Sequence, residues 1–85
     1  MNQAVQVLDG CTYISTKEAL KIDILEEGQM LACYIKGSNK EALTSLYNSK
    51  QFEIEEIIEL ELKEGKLNSD GEIWLTAEEV FAYWV

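Results

Sequence analysis

Every apolar run in the first 36 residues is short, rich in β-branched or aromatic side chains, and cut off by a turn-forming pair. A pattern of this kind commits the first part of the chain to strands, because no stretch is long enough for an amphipathic helix. Ala4-Val5-Gln6-Val7-Leu8 is followed by Asp9-Gly10 and then by Cys11-Thr12-Tyr13-Ile14. Asp and Gly both tolerate the positive φ of a tight type I′ turn, so the reading is a hairpin over 4–14. Leu20 to Glu26 and Met30 to Lys36 flank Glu27-Gly28-Gln29 in the same way, which predicts a second hairpin. Met30 to Ile35 is almost wholly apolar and reads as a central strand covered on both faces.

Helix signals come later. Ser38-Asn39-Lys40-Glu41-Ala42-Leu43 repeats the S-x-K-E-A-L pattern of Ser15 to Leu20, 23 positions earlier. Ser followed three residues on by Glu is a capping box, in which each side chain satisfies a free amide at a helix start. After the second copy, Ala42, Leu43, Leu46 and Tyr47 fall on one helical stripe, predicting a helix over 39–49. After the first copy the sequence alternates, so residues 15–20 give one turn of helix at most before a strand. Two helix starts with the same capping chemistry explain the echo more simply than an internal duplication. Thr76-Ala77-Glu78-Glu79 is a third capping box and opens a short C-terminal helix over about 76–84.

Residues 52–63 pull in two directions. Six glutamates between 53 and 64 favour helix by propensity. Read as a strand, however, Phe52, Ile54, Ile58, Leu60 and Leu62 share one face, and Glu53, Glu55, Glu59 and Glu61 share the other. Glu56-Ile57 breaks the parity and resembles a bulge. The strand reading is taken. Glu72 to Leu75 is a further short strand, entered through the Asn68-Ser69-Asp70-Gly71 turn.

These elements give an α+β fold in one domain, 1–85. It has an antiparallel sheet of about five or six strands, one packed helix and the short C-terminal helix. A partly open β-barrel with the same helices is the alternative. A chain of 85 residues has room for one modest core.

Composition removes whole classes of chemistry. The chain has no histidine, and its seven bases are all lysine. Without imidazole there is no Ser–His or Cys–His nucleophile and no imidazole-ligated metal. Two cysteines cannot complete a four-ligand zinc site within one chain. Cys11 and Cys33 read as reduced thiols, with a disulfide between them as the sharper alternative. No glycine pattern fits a phosphate loop. No catalytic residue, cofactor or metal site is assigned. A net charge of −9 without arginine argues against direct nucleic-acid or anionic-membrane binding. Neither a membrane span nor a signal sequence is present, so a cytoplasmic setting is expected.

Charge is distributed unevenly. Residues 1–50 carry a net −1, and residues 51–85 carry −8. On a strand, Glu53, Glu55, Glu59 and Glu61 form a row with a spacing near that of nucleic-acid phosphates. The bland reading is a solvated face that discourages edge pairing. The functional reading is a surface that docks on a basic protein partner, with nucleic-acid mimicry as its sharpest form. The apolar hexapeptide 80–85 either docks into the core or presents Tyr83 and Trp84 to another chain, as part of that surface or in a homodimer. The leading expectation is therefore a small regulator or inhibitor of the kind phages and mobile elements encode. The rival is a small-molecule-binding domain with a pocket between sheet and helix, lined by Tyr34, Tyr47, Phe52 and Trp74.

Tyr13-Ile14-Ser15-Thr16-Lys17-Glu18-Ala19 resembles the opening of excisionase-type winged-helix proteins over about seven residues. That family continues into a basic recognition helix, where this chain has Ile22-Asp23-Ile24-Leu25-Glu26-Glu27. No family is assigned on this basis.

Overall fold

The computed structural model describes residues 5–83. In chain order the elements are β1 (Val5–Val7), β2 (Thr12–Ile14), β3 (Ala19–Glu26), β4 (Gln29–Lys36), α1 (Lys40–Ser49), α2 (Gln51–Lys63), β5 (Glu72–Thr76) and α3 (Ala77–Ala82). The architecture is α+β, with a five-stranded sheet that does not close into a barrel. Strands β1 and β2 occupy one edge and β5 the other.

The second hairpin forms as expected. Glu26 faces Gln29 across a two-residue loop in which Glu27 has φ 51° and Gly28 φ 82°. Two successive positive φ values define the type I′ turn, whose twist matches that of paired strands.

The first hairpin does not form, and this corrects the reading of 4–14. Strands β1 and β2 never pair with each other; both run antiparallel to β3, end to end along the same edge. Val7 faces Ile24 and Thr12 faces Lys21, so five steps on this edge oppose three on β3. The two surplus residues are absorbed around Asp9-Gly10, where Gly10 has φ 96°. Asp-Gly here makes a bulge inside one interrupted strand. A hairpin would have hydrogen-bonded Val7 to Thr12, whereas this arrangement gives both segments the longer β3 as partner. The chain reverses later, at Ser15–Glu18, where the amide of Glu18 donates to the Ser15 carbonyl and Glu18 sits at φ 50°. No helical turn follows; β3 starts at Ala19.

The strand expected over 52–63 is a helix, α2. Ile54, Ile57 and Ile58 are buried at i, i+3 and i+4, with half-buried Leu62 one turn beyond. That spacing is the apolar stripe of a helix. Phe52 and Leu60, which set the false two-residue parity, face water at 80% and 40% exposure.

Because α2 returns the chain across the sheet, β5 enters parallel to β4, with Tyr34 facing Trp74. A parallel pair needs a crossover connection, which α1 and α2 supply. The sheet is accordingly mixed and not wholly antiparallel.

Helix α1 is capped by Asn39, whose Oδ1 accepts from the amide of Ala42 at 2.9 Å, so the Ser38–Glu41 box is not used. Helix α3 does carry its box: Thr76 Oγ1 accepts from the Glu79 amide at 3.1 Å, and Glu79 Oε1 accepts from the Thr76 amide at 2.8 Å.

All three helices lie on one face of the sheet. Leu20, Ile22, Ile24, Leu31, Cys33, Ile35, Ile73 and Leu75 point into a single core against Leu43, Leu46, Tyr47, Ile54, Ile57, Ile58 and Val80. The other face carries no helix among the described residues. Strand β4 is central, as expected, yet it is not covered on both sides, since Met30 on its bare side is 56% exposed.

Candidate functional site

On a strand, residues two apart share a face; on a helix, two steps turn about 200°. The row Glu53, Glu55, Glu59 and Glu61 therefore does not exist. One pair survives, Glu55 and Glu59, four residues apart and one turn along the same side of α2. Glu53 lies round the axis from them. Glu61 leans inward, close enough to the buried Cys33 to act on its thiol.

Asp9, in the β1–β2 bulge, lies near enough to Glu55 to act on its carboxyl. The Glu55 carboxyl is pushed above its ordinary range, first by burial, then by Glu59, then by Asp9. The ion pairs among the described residues, Lys21–Asp23 at 3.7 Å and Lys66–Glu64 at 3.1 Å, involve neither Glu55 nor Glu59. A groove of about 450 Å³ runs alongside, lined by Val5, Glu26, Glu59, Leu62 and Lys63. Outward from it the helix exposes Phe52, Glu56 and Leu60. The result is a carboxylate cluster interleaved with two bare apolar side chains.

Tyr83 caps α3 and is 39% exposed. Trp84 lies outside the described residues. A second groove, of about 320 Å³, separates α1 from α3 and is lined by Leu43, Leu46, Ala77 and Phe81 among others.

The four aromatic residues grouped around a sheet–helix pocket do not meet. Tyr47 is in the core, Phe52 is in solvent, and Tyr34 and Trp74 lie on the bare face of the sheet. There the two rings stack at 4.6 Å between centroids with 20° between planes. The Lys17 ammonium sits over both, 5.4 Å from the Tyr34 ring and 6.0 Å from Trp74. Trp74 Nε1 donates to Glu72 Oε1 at 3.0 Å, which holds that carboxyl below its usual range. Sequence reasoning missed this face, although the alternation Met30, Ala32, Tyr34, Lys36 was there to be read.

Cys11 and Cys33 are free thiols, and no disulfide joins them. Burial pushes Cys33 up to about 12, with Glu61 adding to the shift. A thiol held protonated is a poor nucleophile and a poor ligand. Among the described residues no group of three or more His, Cys, Asp or Glu is placed to hold a metal ion. No helix among them is long and apolar enough to cross a membrane.

The chain matches no protein-family model, and no curated protein matches it. A search of solved structures finds a protein of unknown function from the DUF1488 family, from Shewanella loihica PV-4. Its TM-score is 0.76 and its sequence identity 24%, over 88% of this chain and 94% of that one. At that identity the likeness is one of fold.

Proposed function

We propose that the protein is a non-catalytic docking module that offers the outer face of α2 to a basic protein partner. The observation that carries this reading is the placing of Glu55 and Glu59 one turn apart on α2, neither of them in an ion pair among the described residues. Like charges one helical turn apart destabilise a helix, and a cationic surface turns that penalty into attraction. Phe52, 80% exposed, and Leu60 provide apolar anchors between the carboxylates. Interfaces of this composition take steering from charge and affinity from apolar contact. Glu53 sits at the margin of this face, and Glu61 belongs to the inner side of the helix.

The experiment is affinity capture with the full chain and with the double variant Glu55→Lys, Glu59→Lys, its fold verified by circular dichroism. Partners should be lost with the charge reversal, and should elute progressively as salt rises. A partner set unchanged by the double variant, or indifferent to salt, would falsify the reading.

A further inference from the structure

The bare face of the sheet is a separate surface with a different composition. Side chains alternate across a strand, so this face is set by register: Lys21, Asp23 and Leu25 from β3, Met30, Ala32, Tyr34 and Lys36 from β4, and Glu72, Trp74 and Thr76 from β5. Ala32, Tyr34 and Trp74 are its apolar strip, continued by Met30 toward the Glu27-Gly28 turn. Met30 is 56% exposed and Trp74 37%. A shallow recess of about 260 Å³ opens beside Met30, between Ala32, Tyr34 and Glu72.

Charge decides what can cover it. The face carries Lys17, Lys21 and Lys36 against Asp23, Asp70 and Glu72, a balance of three and three, whereas the chain as a whole carries −9. Most other approaches between two copies would set carboxylates against carboxylates. Here both signs are present, so a two-fold arrangement can set lysines of one copy against acids of the other.

Size is adequate as well. Strands β3 and β4 span about 26 Å and the shorter β5 about 17 Å, with four strands across about 19 Å, which gives roughly 450 Å² per copy. Two such faces come to about 900 Å² before side-chain relief is counted, close to where specific association begins.

We infer that the protein forms a homodimer by packing the bare sheet faces of two copies together, Trp74 near the centre, Met30 toward the hairpin end and the helices outward. Trp74, already stacked on the buried Tyr34, loses little side-chain freedom on docking, which favours it as an anchor. The acidic α2 surfaces end on opposite sides of the dimer, remote from its interface.

Sedimentation of the full chain across the micromolar range tests this. A dimer is expected. Met30→Lys should weaken it at least about tenfold, and so should Trp74→Lys. Phe81→Lys, at the α1–α3 groove, should leave it intact. Raised salt should leave the dimer in place, since its centre is apolar. Met30 is exposed enough that its variant keeps the fold, verified by thermal melting, so that arm decides even if Trp74→Lys unfolds. A monomer throughout, a dimer unmoved by Met30→Lys, or one dissolved by Phe81→Lys would overturn the assignment.

Discussion

The Tyr47 hydroxyl on α1 accepts a hydrogen bond of 2.9 Å from the backbone amide of Gly10, 37 residues earlier in the chain. Through it a helix is fastened to the bulge that interrupts the edge strand. The surplus residues at Asp9-Gly10 leave an amide without a strand partner, and a side chain from the helical layer supplies the acceptor. Tyr47→Phe keeps the ring in the core and removes only that acceptor. It should cost about 0.5–1.5 kcal/mol, a fall in Tm of several degrees for a domain of this size. Hydrogen exchange at the Gly10 amide should quicken in the same variant. Tyr47→Ala empties part of the core and should cost about 3–5 kcal/mol.

The turn at Glu27-Gly28 can be improved. Glu27 holds a left-handed conformation at φ 51°, which asparagine adopts more readily than glutamate. Glu27→Asn should raise stability by about 0.5 kcal/mol. A Cβ at Gly28 would meet nothing within 4 Å, so Gly28→Ala isolates the backbone strain of φ 82°. That strain should cost about 1–2 kcal/mol. Denaturant unfolding reads both values.

Cys33 sets a limit at alkaline pH. Its folded pKa, about 12, stands above the ordinary value of 9.0, so the folded state holds the proton longer than the unfolded chain does. The contribution is complete below pH 9 and is lost as pH climbs toward 12. The slope in that window is about 1.4 kcal/mol per pH unit. Cys33→Val should show a shallower alkaline decline than the parent chain. In native protein at pH 8, a thiol reagent should modify Cys11 first and reach Cys33 only through unfolding.

Glu55 titrates with the same sign in a different range. Its folded pKa is raised, so its contribution is greatest below the ordinary carboxylate range and falls away as pH rises through the raised value. Above that range the ionised Glu55 is opposed by the neighbours that raise it, Glu59 before Asp9. Glu55→Gln should therefore raise stability at pH 7 by a few tenths of a kcal/mol, solvent screening keeping it small. At pH 4 the gain should vanish. A loss of stability at pH 7 would show the cluster to be compensated within the chain.

Sequence pattern sufficed wherever a local rule acted alone. The Glu27-Gly28 turn, the Thr76–Glu79 cap and the Leu43, Leu46, Tyr47 stripe each depend on residues within one or two turns of one another. Failures came where partners are distant. Asp9-Gly10 is as good a hairpin turn as Glu27-Gly28, but β3 lies within reach of both flanking strands and outcompetes their mutual pairing. In α2, exposed Phe52 and Leu60 counterfeit a two-residue period, while the propensity of five glutamates in the helix pointed the right way. That error carried the candidate site with it, because a carboxylate row on a strand becomes a scatter on a helix. The stack of Tyr34 on Trp74 joins strands separated by the whole crossover, and no spacing along the chain announces it.

The interrupted edge has a consequence for how the molecule meets its surroundings. An unbroken edge strand offers a ladder of amides and carbonyls onto which any extended chain can zip. Here the ladder is cut by two surplus residues and one of its free amides is already spoken for by Tyr47. At the far edge, β5 is five residues long and turns at once into α3. A neighbour finds an interrupted rail at one side and only a short one at the other, which discourages edge-to-edge growth of the sheet. Association is left to the broad surfaces, where side chains, and not the backbone, choose the partner.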